Sequence, residues 1–369
     1  MNDFVVSARK YRPASFDTVV GQSEITSTLK SAILKNQLAH AYLFCGPRGV
    51  GKTTCARIFA KTINCMNLGE DAEPCNTCES CRAFNENRSM NIHELDAASN
   101  NKVDDIRALV EQVRIYPAIG KYNIYIIDEV HMLSTSAFNA FLKTLEEPPA
   151  HAVFILATTE KHKIIPTILS RCQIYDFHRI TVDDTVAYLS RIAAKEGVKT
   201  EEDALRLIAR KSDGAMRDAL SQYDQLVNFC RGDISYNKVI SCLNVLDYDY
   251  FFKVTELAYS GKITELMLLF NEIVAKGFDM GDFITGVAAH FRDLLMAKDE
   301  STLKLIQTGD SIKQRYKEQT AEIPEDFIFE GLKIMETAAG QYRLNVEKRL
   351  GIEIALIKLA QTIEFKKKI

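Results

Sequence analysis

Short apolar runs bounded by turn residues recur through the first half of the chain, at Ala41–Cys45, Asn123–Ile127 and Ala152–Ala157. Each is rich in β-branched and aromatic residues and too short for a buried helix. Each therefore predicts a strand covered on both faces, the pattern of a parallel sheet. Between them apolar positions return at helical spacing, over Thr53–Ile63, Val103–Val113 and Ser136–Leu145. Strand and helix in alternation predict a doubly wound α/β domain over residues 1–178. After about His178 the strand-like runs stop. Thr181–Glu196, with Thr181 as its cap, Thr200–Lys211 and Ala215–Cys230 predict three short helices, a small domain over 179–242. From 243 to 369 the spacing stays helical. In its last stretch Leu350, Ile354, Ile357 and Ala360 fall on one face and predict an amphipathic helix. The expected fold class is an α/β domain followed by two all-α domains.

Composition narrows this picture. Hydrophobic residues make up 47 % of the 369 positions, enough for real cores in two or three domains. Lysine and arginine total 46 against 49 acids, a net charge of −3. A chain that coats nucleic acid by bulk charge should be basic, so any DNA contact here must come from local patches and backbone dipoles. No apolar run approaches the roughly 18 residues of a membrane helix. Met1–Lys10 lacks the apolar centre of a signal peptide, so the cytoplasm is expected and no membrane contact. Nine cysteines in a reducing compartment predict metal or buried thiols rather than disulfides.

The chemistry begins at Gly46-Pro47-Arg48-Gly49-Val50-Gly51-Lys52-Thr53, which fits G-x-x-x-x-G-K-[ST] between a strand and a helix. Glycines let backbone N–H groups turn toward phosphate oxygens, and the helix N-terminus adds its positive end. Lys52 is expected on the β- and γ-phosphates and Thr53 on Mg²⁺; Thr54 continues the same turn. The strand over Ile124–Ile127 then delivers Asp128 and Glu129 at its carboxyl end, where open α/β sheets bind ligands. Asp128 would support Mg²⁺ and Glu129 would act as general base toward a water.

Cys65, Cys75, Cys78 and Cys81 lie within seventeen residues, three of them as C-x₂-C-x₂-C. Four thiolates can close a tetrahedral zinc site and staple a loop that has little core of its own. An iron–sulfur cluster uses similar spacing, although its usual downstream Cys-Pro is missing, and free thiols are the third reading. The other five cysteines read as small buried residues. The histidines form no catalytic constellation; His131, just after the two acids, reads as structural.

More of the chain has a recognisable character. Ala8-Arg9-Lys10-Tyr11-Arg12-Pro13 with Val19-Val20-Gly21-Gln22, Asp96-Ala97-Ala98-Ser99, Asp128-Glu129-Val130-His131, Leu142-Lys143-Thr144-Leu145-Glu146-Glu147-Pro148-Pro149, Ala157-Thr158-Thr159, Ser170-Arg171-Cys172 and Gly214-Ala215-Met216-Arg217-Asp218-Ala219-Leu220 stand in this order. Together they resemble the gamma/tau family of bacterial DNA polymerase III clamp loader subunits, ATPases of the AAA+ class, across nearly the whole chain. The resemblance implies a P-loop ATPase domain with a zinc module at about 64–84, a three-helix lid and a helical collar for oligomerisation. It implies ATP, Mg²⁺ and zinc as cofactors. Ala8, Tyr11, Arg12, Pro13, Val20 and Gly21 would line the adenine side. Thr158 or Thr159 would be sensor 1, Arg217 sensor 2, and Arg171 a finger aimed at a neighbouring subunit's ATP.

Lys102, Ser134 and Lys143, taken to lie near helix N-termini, would meet DNA phosphates, with Asn100 where relatives often carry arginine. Partners would be delta and delta-prime subunits, further copies of the chain, the sliding clamp and primer–template DNA. The longer form's C-terminal tail has no counterpart in these residues, so a short form or a piece of the longer one is expected. Rival readings are another AAA+ motor such as a helicase or branch-migration engine, a non-catalytic ring subunit, and a zinc-centred nucleic-acid module with an incidental ATP site.

Overall fold

The computed structural model describes residues 5–101, 103–243 and 246–367. The chain falls into two compact units: Met1–Ile192 with Ala209–Gln225, and Ala193–Ile208 with Leu226–Ile369. The stretch expected to form a three-helix domain supplies Val182–Glu196, Glu202–Lys211 and Met216–Cys230, which the two units divide between them. Thr181 caps the first of these, its hydroxyl accepting the Asp184 N–H at 3.1 Å.

The first unit is built on a five-stranded parallel sheet: β1 (Ala41–Cys45), β2 (Ile92–Asp96), β3 (Asn123–Asp128), β4 (Ala152–Thr158) and β5 (Gln173–Asp176), in the order β2-β3-β4-β1-β5. The three strands legible as apolar runs are the three interior ones. The edge strands β2 and β5 were not: Ile-His-Glu-Leu-Asp and Gln-Ile-Tyr-Asp keep most of their side chains partly or fully exposed. Edge strands are only half covered, so they carry polar residues and lose the continuous apolar signature.

The period-2 alternation sorts the interior side chains onto two faces. Tyr42 and Phe44 of β1, with Ile124 and Ile126 of β3, pack on Cys55, Phe59 and Ile63 of the helix Lys52–Ile63. Leu43, Tyr125, Ile127, Phe154 and Leu156 pack on Ile106, Leu109, Phe138 and Phe141 of the helices Val103–Val113 and Thr135–Glu146.

The second unit is helical apart from one short pairing. Its main helices are Tyr248–Tyr259, Ile263–Ala275, Met280–Met296, Asp310–Glu322, Glu325–Gln341 and Lys348–Lys367, around a core that includes Phe270, Phe283, Phe291, Phe327 and Leu356. Met280–Met296 and Glu325–Gln341 approach closely because Gly331 faces Phe291, where a Cβ would fall 2.4 Å from the ring. Two expectations need correction. Strand structure does not stop at His178, since Lys199–Thr200 pairs in parallel with Asp233–Ile234. These are two-residue strands, too short to carry any period. The last helix also buries the expected face only in part: Ala360 is core and Ile357 half-buried, but Leu350 and Ile354 are 52 % and 42 % exposed, and Ile352, Ala355, Leu356 and Leu359 supply the rest of the buried side. The helix carries two overlapping apolar stripes, and the helices packed on it choose between them.

One buried polar group in this unit makes its stability depend on pH. His290 lies with Nδ1 3.0 Å from the Tyr316 hydroxyl and Nε2 3.1 Å from Gln319 Oε1, while the Gln319 amide donates to the Phe252 carbonyl at 2.9 Å. With the Gln319 oxygen facing Nε2, that nitrogen carries the hydrogen and Nδ1 accepts from the tyrosine. Burial lowers the imidazole pKa to about 3. The unfolded histidine, near 6.5, takes up a proton first on acidification. Stability is therefore complete above about pH 6.5 and is lost as pH falls toward 3, by at most about 1.4 kcal/mol per pH unit from this group. Urea titrations at successive pH values are expected to give a shallower acid slope for His290→Gln than for wild type, from a lower plateau at pH 7. Parallel slopes would remove His290 as the cause.

Candidate functional site

The carboxyl ends of β1, β3 and β4 open on one edge of the sheet, and the loops leaving them build the site. After β1 the chain makes the turn Gly46–Gly51 and enters the helix at Lys52. Gly51 has φ +104°, closed to most side chains, and a Cβ there would meet nothing within 4 Å. Space is therefore open beside the start of the helix, whose first N–H groups have no intrahelical partner. Lys52 is only 6 % exposed, and its ammonium donates to the carbonyls of Gly46 at 2.8 Å and Pro47 at 2.7 Å. Burial lowers its pKa, with Glu129 and then Asp128 opposing that shift.

The Thr53 hydroxyl donates to Asp128 Oδ2 at 2.7 Å, across 75 residues of sequence. A hydroxyl and a carboxylate placed side by side beneath a phosphate cradle suit a hard dication with oxygen ligands, so the residues fit Mg²⁺. Glu129 sits at φ 48°, ψ 44°, a left-handed conformation uncommon for a residue with a side chain. Its carboxylate is held there by the Thr159 hydroxyl at 2.9 Å and the Thr159 N–H at 3.3 Å.

The two adjacent threonines thus have different jobs. Thr159 contacts Glu129. Thr158 is fully buried, lies 3.0 Å from His131 Nδ1, and accepts the Glu160 N–H at 3.0 Å. His131 also stands 3.4 Å from Glu129 and 3.3 Å from Glu160 through its other nitrogen. It ties the ends of β3 and β4 together, a role invisible in its flanking residues.

A cleft of about 420 Å³ runs from this edge, lined by Ala8, Tyr11, Arg12, Pro13, Val20, Arg48, Gly49, Val50, Gly51, Lys52, Thr53, Thr54, Asp128, Glu129 and Arg217. Arg9, Val19, Met216 and Leu220, which stand in the same motifs, complete it together with Val6, Ile180 and Tyr188, which lie outside every motif read from the sequence. Apolar or aromatic and scattered along the chain, those last three have no local pattern to mark them. Gly21 lies behind the wall against Ile180, and Gly46 and Pro47 face the other side of the loop, in a shallow hollow with Thr159. The N-terminal segment is pinned over the cleft by two bonds: Ser7 N–H to Asp224 Oδ2 at 2.7 Å and the Tyr188 hydroxyl to the Tyr11 carbonyl at 2.7 Å. Arg12 has its pKa lowered first by burial and then by Arg57, with Glu94 and Asp128 opposing.

Other expected residues lie away from the cleft. Arg171 pairs with Glu146 at 2.7 Å and donates to the Thr167 carbonyl at 2.7 Å. Ser134 is exposed and caps the helix Thr135–Glu146 by accepting the Ala137 N–H at 3.2 Å. Lys143 is exposed, but it stands in the last turn of that helix and not near an N-terminus. Lys102 lies outside the described residues.

The four cysteines converge. Their sulfurs all lie within 4.8 Å of one another. A tetrahedral zinc with arms of about 2.3 Å needs sulfurs roughly 3.8 Å apart, so modest closure suffices. The sulfurs accept backbone N–H groups: Cys75 N–H on Cys65 Sγ at 3.3 Å, Cys78 N–H on Cys75 Sγ at 3.3 Å, and Cys81 N–H on Cys78 Sγ at 3.5 Å. Such bonds stabilise thiolates. The Thr77 hydroxyl, followed by backbone N–H groups, holds Cys75 down at about 5. The set fits zinc. Cys75→Ser is expected to lower bound zinc from about one per chain to well below half, with the loss read by elemental analysis and by a lower melting temperature. An unchanged metal content would release Cys75 from the ligand set.

The fold and cleft define a P-loop nucleotide-binding protein of the AAA+ kind. The chain belongs to the DNA polymerase III gamma/tau family of clamp loader subunits. It is 34 % identical to the DNA polymerase III subunit gamma of Buchnera aphidicola over 97 % of both chains. It is 40 % identical to subunit tau of Bacillus subtilis and 37 % to that of Escherichia coli, each over 96 % of this chain. It spans only 63 % and 55 % of those two relatives' lengths. Residues 185–232 match the family described as the DNA polymerase III clamp loader subunit ATPase lid domain, and residues 21–181 that described as DNA polymerase III, delta subunit. Among solved structures, Thermotoga maritima RuvB, a Holliday junction branch migration motor, is 22 % identical over 67 % of this chain and 78 % of its own, at a TM-score of 0.49.

Proposed function

We propose that this chain is the ATP-hydrolysing motor subunit of a bacterial DNA polymerase III clamp loader. In that role it opens the sliding clamp and loads it onto primer–template DNA, in the cytoplasm, within a ring that includes delta and delta-prime subunits and further copies of itself. The reading keeps the three-part division into ATPase domain, lid and collar at about residues 178 and 242. One observation carries it: the bond of Thr53 to Asp128, with Glu129 held beside it by Thr159, at the mouth of a phosphate cradle. A non-catalytic ring subunit has no use for that constellation.

The chemistry is phosphoryl transfer to water, in which position and charge matter more than covalent catalysis. Lys52 meets the β- and γ-phosphates. Thr53 and Asp128 would hold Mg²⁺, which would supply positive charge against the phosphates. Glu129 accepts the proton of the attacking water, and Thr159 fixes the direction in which its carboxylate points. Arg217, at the start of the helix Met216–Cys230, reaches the nucleotide from the lid side. Arg171 reaches the nucleotide of a neighbouring copy, where its planar guanidinium meets equatorial oxygens bidentately. DNA contact is to phosphates and independent of sequence, through Ser134 and Lys143, with Lys102 as the third candidate.

Glu129→Gln keeps the size of the side chain and removes the base. It is expected to bind ATP with near wild-type affinity and to hydrolyse it at least about 10²-fold more slowly. Lys52→Ala is expected to lose ATP affinity itself. Fluorescent-nucleotide titration and phosphate release separate the two, and a Gln variant turning over at wild-type speed removes Glu129 as the base. Arg171→Ala is expected to bind ATP normally as an isolated chain and to lose about 10³-fold of the DNA- and clamp-stimulated hydrolysis of the assembled complex. Mixing Arg171→Ala chains with Lys52→Ala chains should restore activity at interfaces that combine an intact cradle with an intact Arg171. Mixed rings that assemble without any recovery would rule out action in trans.

A further inference from the structure

The zinc module leans on the end of the P-loop helix through one residue the mechanism does not use. Lys61, near the C-terminus of Lys52–Ile63, is 2 % exposed. Its ammonium donates to Asn76 Oδ1 at 2.7 Å and Asn85 Oδ1 at 3.2 Å and sits 6.0 Å from the Phe84 ring. Asn76 stands between Cys75 and Cys78, and Phe84 and Asn85 belong to the helix Glu79–Asn85 that carries Cys81.

All of these partners are neutral. Among the described residues no carboxylate comes within salt-bridge distance of Lys61. The one that acts on it, Glu73, is paired at 2.8 Å with Lys30 and also accepts the N–H groups of Phe16 and Asp17. Burying an ammonium without a counter-charge costs several kcal/mol, so such a residue normally has an anion beside it. The leading electrostatic neighbour of Lys61 is Cys81, and Cys65 follows Glu73. As free thiols these are neutral. As ligands they are thiolates, and four thiolates on a dication leave a net double negative charge in a half-buried loop.

We propose that Lys61 is the built-in counter-charge of the tetrathiolate metal centre. It lowers the cost of holding that anionic centre against the ATPase core and makes the last turn of the P-loop helix one wall of the metal site. The inference rests on the zinc reading above. Lys61 is not a ligand, since it offers no lone pair while charged. It acts as outer-shell partners do, by stabilising the charged form of the groups that bind the metal.

The test compares zinc retention in the full chain as wild type, Lys61→Met, Lys61→Gln and Lys61→Arg, by competition against a chromogenic chelator, with bound zinc counted at saturation. Loss of an outer-shell partner typically costs about 10–100-fold in metal affinity. The two neutral variants are expected to lose that much while still binding one zinc at saturation, and the charge-keeping arginine is expected to stay within about threefold of wild type. A neutral variant with wild-type affinity overturns the proposal. So does an arginine variant as weak as the methionine one, which would make the role one of shape. If the neutral variants do not fold, Asn76→Asp reads the same charge from the other side. A carboxylate that captures Lys61 should weaken retention by the same order, and unchanged retention overturns the assignment. A wild-type chain without bound zinc overturns the zinc reading and this proposal together, whereas zinc-loaded wild type with indifferent variants overturns this proposal alone.

Discussion

Thr53 and Asp128 meet because β1 and β3 run parallel on either side of β4, and the rest of the molecule can be understood from that constraint. In a parallel sheet every carboxyl end points the same way, so loops leaving different strands open on one edge. The order β2-β3-β4-β1-β5 then places the P-loop, the Asp128–Glu129 pair and the Thr158–Thr159 pair on neighbouring strand ends. The 2.7 Å bond between Thr53 and Asp128 joins the first two of these loops, and the Glu129–Thr159 bond joins the second to the third. Remove the parallel register and the same side chains are scattered over two ends of the sheet.

Around this edge the chain holds polar groups at some conformational cost. Glu129 adopts a left-handed conformation and Lys52 is buried among carbonyls. Strain of this kind persists only where the surroundings over-determine it. Here Thr159 grips the Glu129 carboxylate, and His131 braces Thr158, Glu129 and Glu160. Glu129, Glu160 and both threonines are thereby held in fixed directions.

The four-cysteine loop is joined to the rest of its own unit on two sides. Glu73 accepts from the Phe16 and Asp17 backbone and pairs with Lys30, next to the N-terminal segment. Phe84 lies under the cationic heads of Arg57 and Lys61 of the P-loop helix, with the Arg57 guanidinium 4.8 Å from the ring and also bound to Glu94 of β2. A loop of this length has little apolar core, so its order depends on cross-links, and those cross-links land on elements that also shape the cleft.

Contiguous signals were legible because their chemistry is local. The P-loop, the Asp128–Glu129 pair and the C-x₂-C-x₂-C run are stretches in which neighbours in sequence stay neighbours in space, and the three interior strands are apolar throughout because both their faces are covered. The edge strands escaped notice because one-sided cover lets polar residues in. Whether Thr158 or Thr159 serves Glu129 could not be read from two identical neighbouring side chains; the end of β4 at Thr158, which is buried against His131, decided it. The buried face of Lys348–Lys367 was read only in part, for a similar reason. A period of 3.6 residues accommodates both Leu350–Ile354 and Ile352–Leu356, and only the helices packed on it remove one from water. That Lys61 is buried among neutral groups, against the loop that carries the four cysteines, is likewise a tertiary fact. In sequence it is one lysine in an amphipathic helix, and burial alone, set by elements far apart along the chain, turns its charge into a demand for a partner.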